Sequence, residues 1–441
     1  MAAVGAIAFW AYGGGFPNTD ASWTVVWGRE LLDLQAPSFA EGSTPHPLSN
    51  LVGVVAAALD PAAETVLQVV GYAAVGALVV GVFALARSLF GVAVAVLAAA
   101  LVATRDTLLF YGALAYVDVI FAALVVWAVA LEAARPRRGV PVLVILAIAG
   151  LARPEAWLLS GAYWLYARPA DRGEALRWAA LVVAAPLSWA ALDLLLTGDP
   201  LFSFTETTDA TARSGRPTGL EGLIAEGPRI VARTARPEVC LAAIAGLAVA
   251  WRAGRVKLLA GAVAGTAVAV AIPILAGTPL NDRYLMATMA LLCVAAAAPL
   301  ALVTRGERSA WRLAGALCLL VLAIGAVAQA PRLVDRRDSI VDRDTRRNAA
   351  HAALRPDIPC GPLVLPNNRF IPVAATWLDI PIADVRDGRD GVPPGSYLWG
   401  TPAAMRDLLV IEGRVGGVAP APSAPVVRRA GGWTLSARCQ S

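Results

Sequence analysis

The chain has 441 residues, of which 58% are hydrophobic and only 16% are charged, and its mean hydropathy is +0.64. This composition lies outside the range of soluble globular proteins and is typical of polytopic membrane proteins. The net charge of +5 does not indicate a nucleic-acid binder, because the basic residues are spread over many short links instead of forming one patch.

A membrane-spanning helix needs roughly 20 apolar residues. The stretch 141–166 is interrupted by Arg153-Pro154-Glu155, and it predicts two short helices meeting at a polar turn, because a buried Arg and Glu within one span would be costly. With the short first segment and that pair, the sequence predicts eleven helices, at residues 1–10, 65–86, 91–103, 117–134, 141–152, 156–166, 178–196, 239–250, 258–276, 284–303 and 313–330.

The links between these helices differ in charge. Every second link is short and basic, and together these links hold 13 Arg and Lys but three Asp and Glu. The positive-inside rule makes them cytoplasmic. We therefore predict a multi-pass inner-membrane protein with a transmembrane domain over 1–330. Its outer side would hold loops 11–64, 104–117, 197–237 and 277–283, the turn at Arg153, and an extracytoplasmic domain over 331–441.

The outer tail begins with a charged stretch, 332–347, that predicts a helix leaving the membrane. Short apolar runs between Pro and Gly turns then predict a small α/β domain, with runs at 362–365, 397–399, 408–411 and 433–436. Cys360 and Cys439 flank this region, which predicts a disulfide bond between them in an oxidising compartment. The chain has two His and no CxxC or HxxxH spacing, which argues against a Cys/His zinc site.

The first outer loop contains the most informative polar residues. Asn18-Thr19-Asp20 precedes apolar residues at helical spacing, which predict an amphipathic helix at the membrane interface: Trp23, Val26, Trp27, Leu31 and Leu34. Asp20 has two interpretations, a helix N-cap or a general base that deprotonates an acceptor hydroxyl. His46, between two prolines, is either part of a rigid turn or a ligand on the same face as Asp20.

Other candidate residues lie at the outer ends of later helices. Arg153 and Glu155 form either a self-contained ion pair or a phosphate site, since a guanidinium matches phosphate oxygens well. Loop 197–237, with Asp199 near its start, is long enough to indicate a functional role. The remaining candidates are Arg105, Asp106, Tyr116 and Asp118 in and beside the second outer loop, and Arg283 and Tyr284 above a late helix.

These residues, in this order, resemble the GT-C superfamily of membrane glycosyltransferases, which take sugars from polyprenyl phosphates. The resemblance covers roughly residues 11–305. It rests on five features: Asp20, His46-Pro47, Leu151-Ala152-Arg153-Pro154-Glu155, Gly198-Asp199-Pro200-Leu201 and Asp282-Arg283-Tyr284-Leu285.

The resemblance implies an all-α GT-C-like membrane fold and an inverting transferase with Asp20 as the catalytic base. The second acid of the family falls on Asp106 or Asp118, and Asp118 is preferred. Arg153, Arg283 and Arg105 are implied as donor-phosphate ligands. His46, Glu155, Tyr116, Asp199 and Tyr284 are implied in substrate binding.

The implied partners are a polyprenyl-phosphate sugar, membrane lipid, and a glycan, glycolipid or protein acceptor of the cell envelope, with no nucleic acid. No cofactor is fixed, and a divalent metal stays open. Two other functions remain as alternatives: a transporter or flippase of lipid-linked sugars, which predicts broken or charged helices deep in the bilayer, and an inactive GT-C scaffold.

Overall fold

The structure is a computed structural model that describes residues 1–42, 44–169, 171–214, 216–254, 256–304, 309–354, 358–391, 393–409, 419 and 421–439. Helices account for most of these residues, and a small β-sheet lies near the C-terminus. The α-helices are α1 (Ala2–Tyr12), α2 (Thr19–Leu32), α3 (Pro47–Ala58), α4 (Ala63–Phe90), α5 (Val92–Ala103), α6 (Asp106–Ala113), α7 (Val117–Ala134), α8 (Val140–Ala152), α9 (Glu155–Ala167), α10 (Arg172–Thr197), α11 (Phe202–Ser214), α12 (Gly219–Thr234), α13 (Pro237–Arg252), α14 (Val256–Leu275), α15 (Met286–Ala297), α16 (Leu300–Thr304), α17 (Ser309–Leu354), α18 (Ile371–Leu378) and α19 (Pro402–Leu409).

Fewer of the described helices have the length and composition of a complete membrane span than the eleven predicted. Among the described residues, six helices have the length and composition to cross a bilayer, or eight if each of two bent helix pairs is one span. The bent pairs are α5 with α6 (60°) and α12 with α13 (85°). The remaining three of the eleven predicted helices are α1, α8 and α9, with 11 to 13 residues each. At 1.5 Å per residue they reach about 20 Å at most, well short of a hydrocarbon core of about 30 Å.

The predicted polar turn is present, since α8 ends at Ala152 and α9 begins at Glu155. The charged stretch after the last span does not form a separate helix. It continues α17, whose 46 residues run from the apolar segment to the C-terminal α/β unit, which we call the outer domain after its predicted side of the membrane. The boundary predicted at residue 331 therefore falls within one continuous helix.

The two helices of the first outer loop pack very closely. A Cβ on Gly28 would lie 2.5 Å from the carbonyl oxygen of Gly53, and one on Gly53 would lie 2.0 Å from that of Thr24. Both distances are below any real Cβ contact, so these two positions require glycine. The contact fixes α2, which carries Asp20, against α3, which begins directly after His46.

The outer domain is the predicted small α/β unit. Its strands are β1 (Leu363–Leu365), β2 (Val385–Asp387), β3 (Gly395–Gly400), β4 (Val426–Ala430) and β5 (Trp433–Arg438), in the order β2-β1-β3-β5-β4. The β2, β1 and β3 strands are parallel, and β5 is antiparallel to both β3 and β4. Three predicted apolar runs lie in strands. The first two residues of the fourth run, 408–411, are the last two of α19, and its other two residues are outside the described part of the chain. Cys360 and Cys439 are joined by a disulfide bond.

The two Trp residues of α2, predicted for the membrane interface, are buried inside the protein. Trp23 and Trp27 are 3% and 1% exposed, and both pack in one apolar cluster with Phe39 and with Phe370 and Trp433 of the outer domain. The outer domain lies on this face of the helix and covers it. An amphipathic pattern specifies a buried face but does not identify what buries it.

Candidate active site

Asp20 is not the cap of its helix. Asn18 is the N-cap residue of α2, and its side-chain oxygen accepts hydrogen bonds from the backbone N–H groups of Asp20 (2.8 Å) and Ala21 (3.2 Å). The Asn18 side chain also donates to the carbonyl oxygen of Leu114 at 2.7 Å, which fixes the start of the helix against the second outer loop. The capping interpretation of Asp20 is therefore wrong. Its side chain is 43% exposed.

A buried cluster of charges surrounds the turn between α8 and α9. Arg153 donates two hydrogen bonds to Glu155, from Nε (3.1 Å) and from Nη2 (2.6 Å), and a third from Nη1 to Asp118. Its guanidinium also lies 3.9 Å above the Tyr284 ring. Asp118 and Glu155 are 2% and 3% exposed. Arg153 is thus engaged on both edges and one face by protein groups, and it links α7 to α9.

Arg283 bridges the two candidate acids. Its Nη1 lies 3.6 Å from Asp20 Oδ2, and its Nε lies 3.8 Å from Asp118 Oδ2. Both distances exceed the 2.7–3.2 Å of a good hydrogen bond, and among the described residues the buried Nε has no hydrogen-bond partner. The guanidinium lies over the Tyr116 ring at 4.9 Å. Arg283 therefore retains donor capacity for a ligand, whereas Arg153 is fully engaged.

These groups line one cavity of about 920 Å³. Its polar wall includes Asp20, Asp118, Arg283 and Thr44. The rest of the wall is largely apolar and aromatic and includes residues of α10 and α14: Pro186, Leu187, Trp189, Val270, Ile272 and Pro273. A pocket of this size with a few convergent polar groups is typical of a ligand site. Its mixed walls suit a ligand with a charged head and an apolar tail.

His46 lies on the wall of the same cavity. Its ring packs edge-on against Trp189 at 5.5 Å, and Trp189 in turn packs edge-on against Trp157 at 5.6 Å. Burial, reinforced by the nearby Arg153, lowers the pKa of His46 from 6.5 to about 4. The imidazole is therefore neutral at pH 7 and can donate or accept a hydrogen bond without adding charge.

Of the predicted site residues, the cavity brings together Asp20, His46, Tyr116, Asp118, Arg153, Glu155, Arg283 and Tyr284. The structure places Arg105 and Asp199 elsewhere. Arg105 donates to the carbonyl oxygens of Leu101 (3.0 Å) and Ala235 (3.5 Å), so it links helix ends and is not a cavity-wall residue. Asp199 accepts a hydrogen bond from the backbone N–H of Leu201 (2.9 Å) at the start of α11 and has the local role of a turn residue.

Position also distinguishes the two second-loop acids. Asp106 pairs with Arg336 of α17 at 3.9 Å and does not line the cavity, whereas Asp118 does. In the described part of the chain, no group of three or more His, Cys, Asp or Glu side chains is arranged to hold a metal ion.

Three cavity-wall residues were not among the predicted site residues: Asp193, Trp157 and Trp189. Asp193 is 3% exposed, lines the cavity, and accepts hydrogen bonds from the backbone N–H (2.9 Å) and hydroxyl (2.8 Å) of Ser203. It thereby fixes the start of α11 on α10. A carboxylate inside an apolar span was a usable signal, because such groups are costly and commonly functional.

The chain has the GT-C fold. It superposes on the crystal structure of ArnT from Cupriavidus metallidurans bound to undecaprenyl phosphate with a TM-score of 0.62 and 14% identity, over 99% of this chain and 97% of that one. The apo state of the same ArnT gives a TM-score of 0.58 and 13% identity, over 99% and 96%. ArnT is an aminoarabinose transferase of the GT-C superfamily.

A more distant match is the Archaeoglobus fulgidus oligosaccharyltransferase in complex with Zn and sulfate, with a TM-score of 0.50 and 15% identity. It covers 87% of this chain but 62% of the oligosaccharyltransferase. No protein-family sequence model matches the chain, and no curated protein matches it by sequence. The likeness is therefore one of fold.

Proposed function

We propose that the protein is a membrane glycosyltransferase that moves a sugar from a polyprenyl-phosphate donor to a hydroxyl of a cell-envelope glycan, glycolipid or protein. The observation that carries this proposal is the position of Arg283 between Asp20 and Asp118 on the wall of a largely apolar cavity. ArnT, which has the same fold, was crystallised with undecaprenyl phosphate. We place the site on the extracytoplasmic side of the inner membrane, as the loop charges predict.

In this proposal Asp20 is the general base. It takes the proton of the acceptor hydroxyl, whose oxygen attacks the anomeric carbon from the face opposite the phosphate. The bond between that carbon and the phosphate oxygen breaks, and the anomeric configuration inverts. Its exposed position at the start of α2 leaves Asp20 accessible to an acceptor, whereas Asp118 and Glu155 are buried and engaged by Arg153.

Arg283 is our assignment for the leaving phosphate. Its Nε and its loosely paired Nη groups can donate to phosphate oxygens, which stabilises the charge that develops as polyprenyl phosphate leaves. Arg153 then acts as a positioning residue, because its contacts hold Asp118 beside Arg283. The apolar residues of α10 and α14 suit the prenyl chain, and the Trp157–Trp189 pair with Tyr284 suits the sugar.

The test is turnover of a donor panel. Purified protein is incubated with polyprenyl phosphates that carry different sugars, with an envelope extract as acceptor source, with and without EDTA. Release of free polyprenyl phosphate from one donor supports the proposal and identifies that donor. In parallel, the same donors are followed in reconstituted vesicles. Movement of intact donor across the bilayer without release would contradict the proposal and indicate a flippase. If the protein neither releases polyprenyl phosphate nor moves the donor, it is an inactive scaffold.

A further inference from the structure

The segment 280–282, which directly precedes Arg283, is held by side chains from three other parts of the chain. Arg216 Nη2 donates to Asn281 Oδ1 (2.7 Å) and to the carbonyl oxygen of Leu280 (3.1 Å). Asn281 and Asp282 are themselves 6% and 9% exposed. The segment is thus buried among polar partners. Burying its polar groups costs free energy unless those partners satisfy their hydrogen bonds.

Asp282 has two further partners. The hydroxyl of Tyr111, on α6, donates to Asp282 Oδ1, and Arg233 Nε of α12 lies 3.5 Å from Asp282 Oδ2. The two oxygens of this carboxylate therefore face partners on two different helices, α6 and α12. Because Asp282 and Arg283 are consecutive in a 3₁₀ turn, Asp282–Leu285, fixing the first residue restricts the backbone orientation of the second.

Tyr111 also reaches Arg283 by a second route. Its ring packs edge-on against the Tyr116 ring at 4.9 Å, and the Arg283 guanidinium lies 4.9 Å above that ring. The backbone and the side chain of Arg283 thus both depend on Tyr111. Neither Tyr111, Arg216 nor Arg233 lines the cavity, so none is a candidate for direct contact with the donor.

We propose that Tyr111, Arg216 and Arg233 are positioning residues that hold Arg283 in the orientation required by the donor phosphate. This inference rests on the proposed function. It gives the long outer loop 197–237 a specific role, because Arg216 and Arg233 place that loop in contact with the phosphate-binding residue. Removing one of these positioning residues should weaken donor binding while leaving the base, Asp20, in place.

The first experiment measures the affinity of the full-length protein for undecaprenyl phosphate. Tyr111→Phe removes one hydrogen bond to a carboxylate and Arg216→Ala removes two hydrogen bonds, and each is expected to weaken binding roughly ten-fold. Arg216→Lys should restore part of the loss. The matched control is Tyr163→Phe, because Tyr163 also donates to a buried carboxylate, Glu132 at 2.8 Å, away from the cavity.

The second experiment separates positioning from simple loss of stability. In an Arg283→Ala background, Tyr111→Phe should cause no further loss of affinity, because the residue it positions is gone. Equal losses in both backgrounds, or wild-type affinity in Tyr111→Phe and Arg216→Ala, would overturn the inference. Absence of binding by the wild type would instead refute the proposed function, so the two failures are distinguishable.

Discussion

Two arginine–carboxylate clusters in this protein differ in how completely their hydrogen bonds are satisfied. At the contact between α4 and the outer domain, Arg347 of α17 donates from both Nη atoms to Glu64 of α4, and Trp377 Nε1 donates to the same carboxylate at 3.0 Å. At the cavity, Arg153 is fully engaged by Asp118 and Glu155, but Arg283 is only loosely paired with Asp20 and Asp118. The first cluster holds segments of the protein together, whereas Arg283 in the second keeps donor capacity for a ligand.

The domain contact also bears on the candidate base. The hydroxyl of Thr19, next to Asp20, donates to the carbonyl oxygen of Arg369 in the outer domain at 3.2 Å. Further along α2, Arg29 pairs with Asp60 (3.1 Å) and with Asp379 of the outer domain (3.2 Å). The outer domain therefore braces the helix that carries Asp20.

The largest effect on stability is expected from breaking the domain contact on one side. Arg347→Ala leaves the Glu64 carboxylate without its cation and should lower the free energy of unfolding by about 3 kcal/mol. Arg337→Ala, an exposed position on the same helix, is the control and should change it by about 0.5 kcal/mol or less. Thermal or denaturant unfolding in detergent measures both.

A paired substitution sharpens this prediction. If the contact is structural, removing both charges with Arg347→Met and Glu64→Gln should recover much of the lost stability, and donor turnover by the folded protein should stay near the wild-type value. Turnover that falls while stability recovers would mean that the two clusters are not functionally distinct.

The opposite pattern is expected at the cavity. Arg283→Ala should weaken undecaprenyl phosphate binding roughly 10- to 100-fold, because charge-assisted hydrogen bonds contribute about 1.5–3 kcal/mol. Its melting temperature should change much less than that of Arg347→Ala, since Arg283 pairs at 3.6 Å and 3.8 Å and its Nε has no hydrogen-bond partner among the described residues. Calorimetry on both variants checks this. Wild-type affinity in Arg283→Ala would sink the phosphate assignment.

The last expected effect concerns pH and develops only as the pH falls below about 6.5. The pKa of His46 is about 4 in the folded protein, below its ordinary 6.5, mainly because of burial. The unfolded chain therefore takes up the proton first, and acid favours unfolding. The His46 contribution to stability is complete above pH 6.5 and is lost as the pH falls towards 4. Unfolding of His46→Gln should lack this component, while His351→Gln, at the other histidine, should retain it.

Local pattern predicted much of this architecture. The apolar segments, the break at Arg153-Pro154 and the strands of the outer domain all follow from composition and periodicity. Part of the candidate site could be predicted because its residues lie at the ends of predicted helices. Asp20, Asp118, Arg153 and Arg283 all lie at helix ends predicted to face one side, and helices packed in one bundle bring such ends together.

The remaining features depend on packing between distant segments, which no local pattern records. The stripe with Trp23 and Trp27 predicted an apolar face at the membrane interface, but the outer domain, more than 300 residues later, covers these two residues. Arg105 and Asp199 have the right chemistry but satisfy nearby backbone groups instead. The role of Asn18 as the cap, two residues before Asp20, also required the side-chain geometry.

We propose above that Asp20 removes the acceptor proton. Comparing the wild type with two carboxylate variants tests this role. Donor binding and product formation are measured for the wild type, Asp20→Asn and Asp199→Asn, the last being a carboxylate outside the cavity. We expect Asp20→Asn to bind undecaprenyl phosphate like the wild type but to transfer sugar roughly 10²- to 10⁴-fold more slowly. We expect Asp199→Asn to stay close to the wild type in both donor binding and product formation. Sugar transfer by Asp20→Asn at the wild-type rate would contradict this role of Asp20.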